Sequence, residues 1–195
     1  MRAEAAVALA EKSADPREIA AAHEVAVHIA LALSDADAAR LHADLAQRAD
    51  RSLPLAAFVR GRLAFDEGDY DGALAAFEEA TSGSRGATPG VSELHLLTGE
   101  TLAQLQRYDE AEAEFKAELQ EFPENIRAYS GLVQIYRASS QPDAAAQTIE
   151  DLLRAAPTPE GYAMAARLWT VAGERARADA VRADARRRFR GSAGS

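Results

Sequence analysis

The chain has 195 residues, 48% of them hydrophobic and 27% charged, a balance that supports a folded core and excludes wholesale disorder. Its formal net charge of −9 opposes general affinity for nucleic acid or anionic membranes. With no cysteine there is neither a disulfide nor a thiolate metal site, which leaves the compartment open.

Met1 to Lys12 carries an apolar run too short to cross a membrane, and Glu4 and Glu11 break it as a signal peptide as well. A cytoplasmic location without membrane insertion is therefore expected. Ala3, Val7 and Ala10 stand at helical spacing, and Ser13-Ala14-Asp15-Pro16 stops one helix and caps the next. Shifted by 35 residues, the same places hold Ala38, His42 and Leu45; shifted by 35 again, Ala73, Phe77 and Ala80. Residues 1–15 thus read as the second helix of a truncated repeat. Residues 16–53 read as a degenerate full repeat, with Ala22, Val25, Ala26 and Ile29 on its first helix and Ser34-Asp35 at its turn. His23-Glu24-Val25-Ala26-Val27-His28 looks like a zincin motif, but histidines five apart lie about 140° apart around a helix and do not share a metal.

From Leu55 onward one pattern is written three times. Gly61 is followed by Gly68-Asp69-Tyr70-Asp71, Ala73, Phe77 and Ala80; Gly99 by Arg107-Tyr108-Asp109-Glu110, Ala111, Phe115, Glu118 and Phe122-Pro123. The third copy has Tyr129, Leu132, Tyr136, Ala145, Ile149, Leu152 and Pro157. Ala111 to Ala145 and Pro123 to Pro157 are each 34 residues apart. Ala73 to Ala111 is 38, and the turn-forming stretch Thr81 to Gly90 accounts for the excess. That stretch lacks the Gly-Lys-Ser/Thr ending of a phosphate loop and follows no strand, so it reads as a plain loop. Beyond Pro157, Tyr162, Ala166 and Trp169 suit a first helix, Gly173 a turn, and Ala178 and Ala185 a second helix.

Residues Leu55 to Pro157 resemble the tetratricopeptide repeat, a helix-turn-helix unit of about 34 residues with a small residue in the first helix and Ala and Phe spaced along the second. The physical sense is packing: Gly61 and Gly99 let helix backbones approach, and Phe77 and Phe115 fill the space between neighbouring hairpins. The third copy departs at Val133, where a small residue is expected, and at Pro142, where Tyr70 and Tyr108 stand earlier. The resemblance implies an all-α fold, a right-handed α-solenoid of antiparallel helix pairs. It would form one domain over 1–190, with repeats at 54–90 (loop-inserted), 91–123 and 124–157, a degenerate capping repeat at 158–190, and a flexible tail at 191–195.

The resemblance also implies a function, non-catalytic binding of a protein or peptide on the concave face lined by first helices. The outward positions on that face would be His23, Val27, Leu55, Phe58, Arg62, Phe65, Glu93, Leu96, Glu100, Arg127, Ser130, Gln134, Arg137 and Arg167. The carboxylate clamp for chaperone tails needs Lys and Asn where Phe58, Arg62 and Leu97 stand, and only Arg127 matches, so that ligand is disfavoured. Apolar Leu55, Phe58, Phe65 and Leu96 beside arginines suit a partner with apolar anchors and negative charge, unless several of them only pack between helices. No catalytic constellation, cofactor motif or metal-ligand set is present, and acidic pairs such as Glu78-Glu79 and Glu112-Glu114 read as solvated faces. Two alternatives stand beside this reading: a repeat region appended to a larger enzyme or secretion component, or a binder of nucleic acid or acidic partners through the Arg-rich last helix. The run Arg175, Arg177, Arg182, Arg186, Arg187, Arg188 and Arg190 is interrupted by Asp179 and Asp184 and reads first as a polar cap.

Overall fold

The computed structural model describes residues 15–83 and 93–190, and every regular element among them is an α-helix. These helices are α1 (Pro16–Ala32), α2 (Ala36–Ala49), α3 (Leu55–Glu67), α4 (Tyr70–Gly83), α5 (Leu94–Gln104), α6 (Tyr108–Glu121), α7 (Ile126–Ala138), α8 (Pro142–Ala155), α9 (Pro159–Val171) and α10 (Arg175–Arg188). The expectations for Met1–Lys12, for the loop from 84 onward and for the tail at 191–195 lie outside the described residues.

Several helix starts follow directly from side-chain chemistry. The first amides of a helix lack intrahelical partners, and a short polar side chain satisfies one of them. Asp15 accepts from the Arg17 amide at 2.9 Å, Asp35 from Ala38 at 3.0 Å, Asn125 from Arg127 at 3.0 Å and Thr158 from Gly161 at 3.1 Å. Pro16, Pro142 and Pro159 stand in the first turn, where a missing N–H costs nothing.

The hairpin turns repeat one backbone device. Ser34, Gly68, Gln106, Ser140 and Gly173 all have φ between 57° and 85°, the left-handed region. After each of them the next amide reaches back to a carbonyl of the preceding helix: Asp35 to Ala30, Asp69 to Ala64, Arg107 to Leu102, Gln141 to Tyr136 and Glu174 to Trp169, at 2.7–2.9 Å. This six-to-one bond is the Schellman closure, and it satisfies carbonyls that the helix end leaves free. Glycine takes such a conformation without strain, whereas Ser34, Gln106 and Ser140 carry a Cβ penalty of about 1–2 kcal/mol.

By its contacts the chain divides into two compact units, one up to Leu97 and the other from Thr98 on. The first has a core of Val27, Leu55, Phe58, Val59, Phe77 and Leu97 with a row of alanines from α2 and α4. Alanines 39, 43 and 46 are wholly buried, which brings α2 close to its neighbours. At Gly61 a Cβ would lie 2.5 Å from the Phe77 ring, so glycine there is a requirement of packing.

The second unit is built around Phe115. A Cβ at Gly99 on α5 would approach its ring to 2.9 Å, and one at Gly131 on α7 to 2.4 Å. The small residue facing this phenyl from the third copy is thus Gly131 and not position 133, where Val133 is buried as ordinary core. Full burial of such a ring contributes about 1.5–3 kcal/mol. Buried Glu118 at the end of α6 accepts from the Asn125 side chain at 2.6 Å, which ties that end to the cap of α7. At the C-terminal hairpin Ala178 is the buried residue of α10, while α9 supplies Tyr162, Ala165, Ala166, Leu168 and Trp169.

Candidate functional site

The first helices α1, α3, α5, α7 and α9 carry the expected binding residues, and the structure separates those that face solvent from those that pack. Leu55, Phe58 and Leu96 are each 1% exposed and belong to the core, so as apolar anchors for a partner they are corrected: their side chains are spent on inter-helix packing. Val27 is wholly buried as well. His23 is 2% exposed, and its Nδ1 lies 3.1 Å from Nδ1 of His42 on α2. One of those rings must carry the bridging proton and the other accept it, a structural hydrogen bond across the α1–α2 hairpin. His42, which takes an aromatic's place in the repeat register, thereby finds a ring partner, with centroids 5.2 Å apart.

Arg62 and Glu93 bound a shallow depression of about 450 Å³ on the first unit, together with His28, Leu31 and Ala32. His28 and Leu31 are residues the sequence reading left out. Arg62, from the middle of α3, is partly covered and its Nε donates to both oxygens of Asp66 one turn on, at 3.1 and 3.2 Å. Phe65 is half-buried, its ring meeting Tyr70 edge-on at 5.6 Å. Glu93 precedes α5 with φ at 68°.

In the second unit Arg127 Nη2 donates to both carboxylate oxygens of Glu100 at 3.1 and 3.0 Å, joining α7 to α5. Gln134 Nε2 donates to Ser130 Oγ at 3.3 Å along α7. Arg137 and Arg167 are exposed. These groups form a charged and polar first-helix surface.

The arginines of α10 are largely engaged within the hairpin. Arg177 lies over the Trp169 ring at 4.7 Å and Arg188 over Tyr162 at 5.5 Å. Arg182 donates to Asp179 at 2.9 Å and to Thr170 at 2.8 Å, and Arg187 to Asp184 at 3.0 Å. Partial burial raises the Asp184 pKa, but hydrogen bonds from Tyr162 and Arg187 together with the charges of Arg188 and Arg187 outweigh it and hold the carboxyl below the usual range. The helix therefore uses guanidinium groups to cover the aromatics of α9.

Two overlapping stretches, residues 58–126 and 102–168, match sequence models described as tetratricopeptide repeat, and together they span more than half of the chain. The chain belongs to the tetratricopeptide repeat family. No curated protein matches the sequence. Among solved structures, PilW, a type IV pilus biogenesis factor, is similar over 98% of this chain and 87% of its own at 18% identity, with a TM-score of 0.69. MamA from Desulfovibrio magneticus RS-1 is similar over 90% and 97% at 15% identity, with a TM-score of 0.61. YrrB, described as a tetratricopeptide repeat protein with an unusual peptide-binding site, is similar over 97% and 95% at 16% identity, with a TM-score of 0.58. At these identities the likeness establishes the helical-repeat solenoid fold. Tetratricopeptide repeats are generally non-catalytic protein-interaction scaffolds. No helix among the described residues is long and apolar enough to cross a membrane.

Proposed function

We propose that this tetratricopeptide protein is a non-catalytic scaffold that captures a peptide segment of a partner on the face of its first helices, the face that is concave in arrays of this family. The observation that carries the reading is the depression between His28, Leu31, Arg62 and Glu93, where residues of the first helices α1 and α3 and the residue just before α5 meet at the surface without being consumed by the core. A preformed recess with one apolar wall and a few oriented charges is the usual form of a peptide-binding surface. Leu31 and Ala32 replace the buried leucines and Phe58 as its apolar component, and Arg62 supplies the charge for an acidic group. The second unit carries Glu100, Arg127, Gln134, Arg137 and Arg167 on its own first helices, a charged and polar set considered by itself.

The test is affinity capture from the native cell extract with the intact chain, followed by mass spectrometry and a binding isotherm for the captured partner. Arg62→Glu combined with Leu31→Asp should reduce affinity by about tenfold or more while circular dichroism stays helical. Replacing Arg186, Arg187 and Arg188 by Gln should leave it within about twofold, since exposed charges are screened. The reversed outcome would transfer the binding role to α10.

A further inference from the structure

The solvent side of α1 carries an apolar row that the core does not use. Val25 is 52% exposed, Ile29 38% and Leu33, just past the helix end, 74%. Spaced by four residues, they form a single ridge along the helix. At about 100° per residue the ridge lies roughly 130° around α1 from His28 and Leu31, so it is separate from the depression that those two bound. Acids stand at its two ends. Glu18 lies about 10 Å before Val25 on the same side, and Asp35 and Asp37 follow Leu33. Asp37, in a 3.5 Å contact with Arg40, still has a side chain 99% exposed.

The outward side of α10 is complementary in size and in charge. Opposite its buried Ala178, Ala176 and Ala180 are exposed and Ala183 is half-buried, a low strip of methyl groups. The ion pairs of this helix are made by Arg182, Arg187 and Arg188. Arg175, Arg186 and Arg190, at its two ends, have no acidic partner among the described residues. From Arg175 to Arg190 is about 22 Å along the axis and from Glu18 to Asp35 about 25 Å, so both ends come into reach together. Residues 158–190 hold eight arginines against four carboxylates, and residues 15–53 seven carboxylates against four arginines, so the two hairpins attract each other while each repels its own copy. Within the chain, second helices pack on the first helices that follow them, α2 on α3, α6 on α7 and α8 on α9. The described residues give α10, a second helix, and α1, a first helix, no such neighbour.

We propose that α1 of one copy of this protein receives α10 of another, head to tail, with Val25, Ile29 and Leu33 seated on the alanine strip and Arg175, Arg186 and Arg190 against the acids at the ends of α1. A row of large side chains on one helix and of methyl groups on the other lets the two axes approach closely while the apolar ridge leaves water. The contact is heterologous, so it repeats from copy to copy. One helix on one helix is smaller than the about 1,200 Å² of a standard stable interface, so the association is weak, reversible and driven by concentration.

Sedimentation velocity of the intact chain from about 10 μM to about 1 mM tests this. The wild-type chain should gain mass with concentration, and raising salt from about 0.05 M to about 0.5 M should weaken the association about fivefold or more. Val25→Asp with Ile29→Asp, which spoils α1, and Arg186→Glu with Arg190→Glu, which spoils α10, should each weaken it by about tenfold while circular dichroism stays helical. Mixed in equal amounts, the two variants should form a one-to-one pair and nothing larger, because one keeps a working α10 and the other a working α1. If α1 paired with α1, the α10 variant would associate like the wild type. That result, the absence of a one-to-one pair in the mixture, or a wild-type chain still monomeric at about 1 mM, its ridge then being covered by residues 1–12 or kept for a different partner, would each overturn the proposal. None of the four substituted residues lines the depression at Arg62, so peptide capture there is judged separately.

Discussion

Gly131 lies so close to Phe115 that a β-carbon on it would stand 2.4 Å from the ring. The phenyl of one second helix thus occupies the space left by glycines on two first helices, Gly99 and Gly131. Removing the ring leaves a cavity with rigid walls: Phe115→Ala should destabilise by about 3–5 kcal/mol in thermal or urea unfolding. Gly131→Ala should also destabilise, by about 1–3 kcal/mol, because a well-packed site resists an added methyl. Combining Gly131→Ala with Phe115→Leu should cost less than the sum of the two, since the smaller side chain vacates the space the methyl needs.

The hairpin turns offer a cleaner backbone test. At Gly68 and Gly173 nothing lies within 4 Å of where a Cβ would be, so the glycine requirement there is conformational alone. Gly68→Ala should therefore cost about 1 kcal/mol, and Gln106→Gly and Ser140→Gly should each stabilise by about 0.5–1 kcal/mol as the left-handed strain is relieved. Chemical denaturation of the single variants would measure both signs.

These turns also show what was legible beforehand. Ser34, Gly68 and Gly173 stood out as turn residues because their chemistry is local, and Gly61 and Gly99 because a close helix approach demands them. The partition between groove and core was not legible. Leu55, Phe58 and Leu96 are apolar whether they anchor a partner or fill an interior, and α5 carries apolar residues around much of its circumference, which a buried helix does. In α1 the abundance of alanine fits more than one helical phase. The repeat register accordingly points His23 and Val27 outward, while the structure turns them inward and leaves His28 and Leu31 at the surface. Gly131 escaped because it sits two residues from the register position that the repeat pattern marks.

Glu112 joins Lys116 and Tyr136 in one small network, and this gives a pH dependence with a defined sign. The Lys116 ammonium, followed by the Tyr136 hydroxyl, holds the Glu112 carboxyl below its ordinary value of 4.5. A carboxylate with a depressed folded-state pKa contributes stability that is complete above the unfolded value and lost as pH falls through the folded one. The network should thus protect the second unit at neutral pH and lose its contribution below about pH 4.5, where the unfolded chain begins to take up the proton. In Lys116→Gln the Glu112 side-chain carboxyl should titrate closer to 4.5 by carbon-detected NMR, and less acid-dependent stability should be lost on the way down. An unchanged titration would mean that the ammonium is not held at Glu112 in solution.

The guanidinium of Arg177 lies 4.7 Å from the centre of the Trp169 ring, and Trp169 is the chain's one tryptophan, 3% exposed. This makes the cover that α10 gives to Trp169 directly observable. A cation over an indole face at an exposed site contributes about 0.5–1 kcal/mol, and the arginine stem adds apolar cover. Arg177→Ala should therefore uncover the indole, shift its emission to longer wavelength, and lower stability by about 1 kcal/mol or slightly more. Arg186→Gln, in the same helix without a ring beneath it, should change neither emission nor stability beyond about 0.5 kcal/mol. If α10 were instead a freely presented basic surface, the two substitutions would act alike on emission, and the distinction between covering and presenting charge would fail at this residue.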